Sequence, residues 1–315
     1  MDVPPPPPAR PAAPNAARSG RFLRSALGVL RREAEITWRM MVDNLTASVV
    51  PPLMITAAAS SHYRADAAAT LCSLAWCLLL HTLYQYVFDA SNQARSLEED
   101  RVNKPWRPLP HALTTGPGLL RRLWIASVLY ILLGVFTHTL IWVLLWQTTV
   151  IVAMFASPRH YIWQKPLWMV SGMISHLAAG WRLAGPIDRT GWTWICTLTI
   201  LLAAPLRFED VRDMDGDRAV ERRTLPLVIG HWPVRIMFAV FMAAAPIPVH
   251  LLLYAPGNAG RLTGWSCDAA LAAVCWTAAA RSLLLRTTTA DRTTYLMLTA
   301  VYGTALAGGI VILRA

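Results

Sequence analysis

The chain is 315 residues long, 55% hydrophobic and only 15% charged, with a formal net charge of +11 and a mean hydropathy of +0.39. An average soluble domain is roughly 25% charged, so ordinary globular architectures are excluded. Apolar residues fall in blocks of about 18–22, long enough to cross a hydrocarbon core of roughly 30 Å at 1.5 Å per residue. The expected fold is all-α, a polytopic membrane helical bundle.

In chain order, residues 1–20 form a Pro/Ala-rich tail without periodicity, expected to be disordered. No apolar core follows its arginines before about residue 45, so it does not read as a signal peptide. Residues 21–43 place Leu23, Leu27, Leu30 and Ile36 among arginines, the pattern of an amphipathic helix lying at the membrane surface. Residues 44–315 are expected to form one transmembrane domain, with nine candidate spans: 45–60, 67–88, 119–136, 139–156, 167–184, 191–206, 233–253, 266–285 and 294–313. Pro51-Pro52 in the first, and indistinct ends of the fourth and fifth, also leave room for eight.

With the N-terminus inside, alternate loops hold 24 of the 29 Lys and Arg, leaving Arg64, Arg182, Arg189, Arg261 and Arg314 outside. The positive charge thus reads as a topology signal, with an affinity for anionic lipid headgroups, rather than as a nucleic-acid footprint. Five scattered cysteines lack metal-ligand spacing and are expected to act as small buried hydrophobes.

The acids are distributed unevenly. Two inside loops hold ten of the 18: Asp89, Glu98, Glu99 and Asp100, then Glu209, Asp210, Asp213, Asp215, Asp217 and Glu221. An acid near mid-membrane costs roughly 2.5–3.5 kcal/mol, so such clusters belong at an interface or in a wet cavity. Asp210, Asp213 and Asp217 share one face if the segment is helical, with Gly216 expected to loosen its end. Asn92, Ser96, Glu99, Asp100 and Asn103 form a similar stripe, closed by Pro105. Stacked carboxylates need a positive partner, and beside them lie Arg95, Arg101, Lys104 and Arg107. Carboxylates mixed with basic residues suit a Mg²⁺-bridged diphosphate, since Mg²⁺ takes one or two carboxylates together with phosphate oxygens and water. No Walker A loop or GxGxxG offers another phosphate cradle.

At these residues the chain resembles the UbiA superfamily of intramembrane prenyltransferases. The family's Asn-Asp-x-x-Asp-x-x-x-Asp motif and Asn-Lys-Pro-x-Arg-Pro run correspond to N-Q-A-R-S-L-E-E-D-R-V-N-K-P-W-R-P, from Asn92. Its second Asp-x-x-Asp-x-x-x-Asp motif and Thr-Leu-Pro tail correspond to D-V-R-D-M-D-G-D-R-A-V-E-R-R-T-L-P, from Asp210. The resemblance implies a bundle around a central cavity, with both motifs at its cytosolic mouth. It implies a metal set of Asn92, Glu99, Asp100, Asp210, Asp213 and Asp217, with Asp100, Asp213 and Asp217 catalytic. Arg95, Lys104, Arg107, Lys165 and Arg222 would bind the diphosphate, and Tyr161 with Lys165 is similar to a Tyr-Lys element of the family. Gln93 and Ser96 stand where the family has aspartates. Glu99 or Asp89 could replace them, and this form is similar to UbiA-type terpene cyclases.

The implied activity is Mg²⁺-dependent ionisation of an isoprenyl diphosphate, with the allylic cation transferred to a small aromatic or lipid-like acceptor. The alternative is intramolecular cyclisation. A transporter without chemistry predicts acids deep in the spans, which are nearly free of them. Trp76, Trp142, Trp146, Trp163, Trp168, Trp181, Trp192 and Trp194 are candidate cavity walls, although interfacial belts account for most tryptophans in such chains. His81, His138 and His176 lack ligand-spaced partners and are assigned to packing or interface roles.

Overall fold

The computed structural model describes residues 16–257 and 259–314, with side chains from residue 27 onward. No strand occurs among the described residues. The long helices are α1 (Ala16–Met41), α2 (Leu45–His62), α3 (Ala67–Gln93), α5 (Gly116–Phe136), α6 (Leu140–Met154), α7 (Tyr161–Ala184), α8 (Arg189–Ala203), α12 (His231–Ala244), α14 (Arg261–Leu284) and α15 (Thr288–Ile312). Short helices connect them: α4 (Leu97–Asn103), α9 (Glu209–Arg212), α10 (Met214–Ala219), α11 (Leu225–Ile229) and α13 (Pro246–Val249).

Each of the nine expected spans is helical. Six helical stretches are long and apolar enough to cross a membrane singly, and up to eight if two bent pairs each count as one crossing. Those pairs are α1–α2, bent by 81°, and α6–α7, bent by 118°. At 15 residues α6 is about 22 Å long, short of the roughly 30 Å hydrocarbon layer. Nine full crossings are therefore not all accounted for by length and composition. The chain is nonetheless an integral membrane protein by its fold. Leu71, Leu132, Ile141, Ile200, Val240 and Leu262 are all exposed, an outward apolar surface that water would not tolerate and lipid would.

Helix starts follow local chemistry. Asp66, Thr115, Asp188 and Thr287 each accept a hydrogen bond from the backbone N–H three residues on, satisfying an orphan donor at the first turn. Residues 16–20, read as part of a disordered tail, are helical and belong to α1. The rest of that tail, residues 1–15, lies outside the described residues. On α1, Ile36 and Met40 are buried while Leu27, Leu30 and Trp38 are exposed.

Small residues let the central helices approach. A Cβ on Gly172 of α7 would lie 2.7 Å from the Trp146 ring and 2.8 Å from the Tyr84 hydroxyl, so only glycine lets α7 pack onto α3 and α6 there. The Thr56 hydroxyl of α2 sits 2.8 Å from the Gly180 carbonyl of α7. Two of the five cysteines, Cys77 and Cys275, are buried as expected, whereas Cys72 and Cys196 are exposed on the outer face.

Candidate active site

Both acidic segments arrive at one rim, but neither as an unbroken helix. Helix α3 ends at Gln93 and α4 restarts at Leu97, so Asn92 lies on a different helix from Glu99, Asp100 and Asn103. The second segment breaks at Asp213 (φ −101°, ψ 8°), between α9 and α10. The continuous stripes expected from the spacing are thus each cut once.

One amide side chain ties the two segments together through the backbone of the second. Asn103 of α4 donates from Nδ2 to the Asp213 carbonyl (3.2 Å) and accepts at Oδ1 from the Gly216 N–H (3.1 Å). Gly216 therefore does not merely loosen a helix end: a Cβ there would lie 2.5 Å from Asn103 Cγ, so the residue must be glycine for α4 and α10 to dock.

Around this clamp the charged groups interlock. Lys104 reaches Asp213 (3.4 Å), Arg212 reaches Asp213 (3.3 Å) and Glu209 (3.0 Å), and Lys165 reaches Glu209 (2.9 Å) and Asp210 (2.5 Å). Arg222 bridges the two motifs, from Glu99 on α4 (2.6 Å) to Asp217 on α10 (2.9 Å). Arg107 donates to Asp100 (2.8 Å), with Asp43 at 3.6 Å. Aromatic faces back two of the cations: Arg222 lies 4.6 Å from the Tyr161 centroid and Arg212 4.4 Å from that of Tyr295.

Burial pushes the Asp217 carboxyl up to about 7; Arg222 opposes that rise and Glu99 adds to it. Burial acts the same way on Asp213, but Lys104 and Arg212 outweigh it and hold that carboxyl below the ordinary range. For Arg107, burial disfavours the charge while Asp100, Asp89 and Asp43 more than restore it.

These groups surround the mouth of a cavity of about 580 Å³. Asn92, Arg95, Glu99, Lys104, Arg107, Lys165, Asp210, Asp213, Asp217 and Arg222 all line it, so ten of the eleven expected site residues converge. Asn92 and Asp213 share the rim. Asp100 is the exception: it is fully buried behind the wall, holding Arg107 and accepting from Ser96 Oγ (2.8 Å). Gln93 points away altogether, donating to the Met40 carbonyl of α1 (2.8 Å). Asp89 is buried too, accepting from Asn44 (2.9 Å) behind the lining. Arg95, over the Phe155 ring, has no carboxylate partner among the described residues.

Below the mouth the lining turns aromatic and apolar. Tyr84 and Trp146 stack at 4.3 Å with planes 12° apart, and Phe88, Trp168, Met173, Leu298 and Tyr302 complete the wall. Of the eight candidate wall tryptophans, Trp146 and Trp168 reach the cavity. Trp181 and Trp194 are packed in the core, and Trp163 is 75% exposed on the outside.

Sequence reasoning missed Glu209, which lines the mouth and pairs with both Lys165 and Arg212; its position off the Asp210–Asp217 stripe hid it. It also missed His176, which lines the cavity and contacts the Tyr302 hydroxyl at 3.2 Å, when spacing had assigned it to packing. His81 does pack as expected, between the carbonyls of Cys77 (2.9 Å) and His176 (3.1 Å).

A family model described as the UbiA prenyltransferase family matches residues 49–302. The chain belongs to this family. It is 33% identical over 287 residues to the somaliensene A/B synthase of Streptomyces somaliensis, covering 90% of this chain and 94% of that protein. It is 32% identical over 171 residues to the diterpene cyclase eriG of Hericium erinaceus, covering 52% of this chain and 54% of that protein. A solved structure described as a digeranylgeranylglyceryl phosphate synthase in membranes superposes with a TM-score of 0.59 at 16% identity, over 90% of this chain and 99% of that one. That likeness establishes the UbiA fold. The UbiA chain described here is accordingly an enzyme of the prenyltransferase and terpene synthase superfamily.

Among the described residues, no three His, Cys, Asp or Glu are grouped closely enough to hold a metal by themselves. The donors that are present fit a hard cation that brings other ligands with it. They are carboxylate and amide oxygens, and two of the buried ones, Glu99 Oε2 and Asp210 Oδ2, are faced only by arginine nitrogens, of Arg222 at 2.6 Å and Arg207 at 3.4 Å.

Proposed function

We propose that this protein is a Mg²⁺-dependent terpene cyclase: it ionises an isoprenyl diphosphate and captures the allylic cation intramolecularly. The observation that carries this reading is one cavity with a charged mouth over an aromatic, apolar body. The end-to-end similarity to the somaliensene A/B synthase supports it.

In this reading Asn92, Glu99, Asp210, Asp213 and Asp217 hold the metal, while Arg95, Lys104, Arg107, Lys165 and Arg222 take the diphosphate. Bound Mg²⁺ would supply Lewis-acid stabilisation of the departing diphosphate. Lys104, Lys165 and Arg222 each lie within reach of a carboxylate at the rim, and they add charge-assisted hydrogen bonds as negative charge develops on the leaving oxygen. Asp100 acts one step back, keeping Arg107 oriented. The walls exclude water, which would quench the cation, and the stacked Tyr84 and Trp146 offer it π faces. The acidic segments face the cytoplasm in this reading, consistent with the bias of Lys and Arg toward alternate loops.

The test is to incubate purified protein in lipid vesicles with Mg²⁺ and C10, C15, C20 or C25 prenyl diphosphates, without acceptor. Diphosphate release together with a cyclic hydrocarbon or alcohol is expected. Product appearing only with an added aromatic or lipid acceptor would instead assign prenyl transfer. No diphosphate release under any condition would end both readings.

A further inference from the structure

Four side chains lining the cavity carry a buried polar atom outside any well-aligned hydrogen bond. Three belong to the charged mouth and face an opposite charge: Glu99 Oε2 lies 2.6 Å from Arg222, Asp210 Oδ2 3.4 Å from Arg207 and Arg107 Nε 3.6 Å from Asp43. The fourth, Nδ1 of His176, stands alone among the aromatic walls. Lys165, which reaches the mouth carboxylates, precedes His176 on α7 by eleven residues. At 1.5 Å per residue that places His176 about 16 Å farther along the helix than the lysine.

The imidazole is anchored at Nε2 and not at Nδ1. Its Nε2 lies 3.2 Å from the Tyr302 hydroxyl, its own backbone carbonyl anchors His81, and the Tyr84 ring meets it edge-on with centroids 5.7 Å apart. No carboxylate pairs with it among the described residues. An unpaired charge is costly in such surroundings, so the ring stands as neutral imidazole. Which nitrogen carries its proton is set by the partner of the other. Tyr302 can accept from Nε2–H, and that tautomer leaves Nδ1 as an unpaired lone pair, covered by its neighbours so that the ring must turn slightly to meet a substrate.

We propose that His176 is the proton acceptor that ends the reaction in the cavity, with Tyr302 as its positioning residue. This inference rests on the cyclisation reading above. A carbocation acidifies the C–H bonds on the adjacent carbon, so position rather than base strength decides which group removes the proton. In the step, Nδ1 takes that proton, the C–H electron pair becomes a new C=C bond, and the cationic carbon is neutralised. The product is an olefin, and the imidazolium is held by Nε2–H donating to Tyr302 until the proton passes to water as the product leaves. The diphosphate, the other Lewis base in the reaction, is expected at the mouth, about three helical turns away along α7.

The experiment compares wild type, His176→Phe and Tyr302→Phe in lipid vesicles with Mg²⁺ and C10 to C25 prenyl diphosphates, measuring released diphosphate alongside product composition by mass spectrometry. The wild type is expected to make chiefly one olefin. In H176F the share of that olefin should fall at least tenfold in favour of alcohols and isomeric olefins, and Y302F should shift the same way by a smaller factor. A wild-type product profile from H176F overturns the assignment and points to the released diphosphate as base. A wild-type product that is an alcohol overturns it as well. So does a fall in total turnover in both variants with unchanged product composition, which marks a packing role. Absence of diphosphate release by the wild type defeats the underlying reading, and is distinguished by that readout alone.

Discussion

Gly216→Ala tests whether the clamp between the two acidic segments sets the reaction geometry. The added Cβ would lie 2.5 Å from Asn103 Cγ, where comfortable carbon–carbon separations are about 3.5–4.0 Å. The neighbours must therefore part by roughly 1 Å. Asn103 then loses its bonds to the Asp213 carbonyl and the Gly216 N–H. At about 0.5–1.5 kcal/mol each, the loss is about 1–3 kcal/mol, not enough to unfold the bundle. The effect on rate is larger, because a misplacement of about 1 Å in a reacting constellation costs on the order of 100-fold. The assay is diphosphate release by the purified variant in vesicles, in wild-type and Asn103→Ala backgrounds. G216A should lower kcat/KM about 100-fold in the first and only a few-fold in the second, since the obstructing amide is gone. Near-wild-type rates for G216A, or a full 100-fold loss persisting with N103A, would refute the clamp.

Asp213→Asn and Asp217→Asn should each cut turnover by about 10²–10³-fold while protein yield stays constant; wild-type rates from either would remove that carboxylate from the chemistry. Chelation with EDTA should abolish diphosphate release and added Mg²⁺ should restore it, whereas activity that survives chelation would contradict a metal-held diphosphate. Restoring the family's aspartate with Gln93→Asp should not raise activity. It would bury a carboxylate against the Met40 carbonyl and destabilise the protein by several kcal/mol, as read from thermal inactivation, and a gain in rate would show that residue 93 faces the site after all.

The helices were legible because the chain writes them in apolar blocks punctuated by charge, and each expected span is helical, although 233–253 is divided among α12, α13 and a π-helical stretch. The convergence of the two motifs was legible from their spacing and shared side of the membrane. Three features were not. The breaks at residues 94–96 and at Asp213 carry no Pro, and the second coincides with the Asn103 clamp, a contact 110 residues away in sequence. Asp100 and Gln93 sit at motif positions yet face backwards, because the way α3 and α4 are rotated decides which residues look into the cavity. For the same reason His176 looked like any other histidine in a span: its significance lies in which side of α7 meets the empty space, and periodicity does not reveal a helix's rotation.

The interlocked charges at the mouth also set how the site fills. Lys104, Lys165 and Arg222 are already engaged with Asp213, Asp210 and Asp217. A lone anion arriving there would pull the lysines and arginine off and strand three carboxylates; a lone divalent ion would strand the cations instead. Either half-step leaves buried charge uncompensated, at about 3–5 kcal/mol for a broken pair. Arriving together, the two simply swap partners with the lattice, so each greatly strengthens the other's grip and a partly loaded mouth is disfavoured.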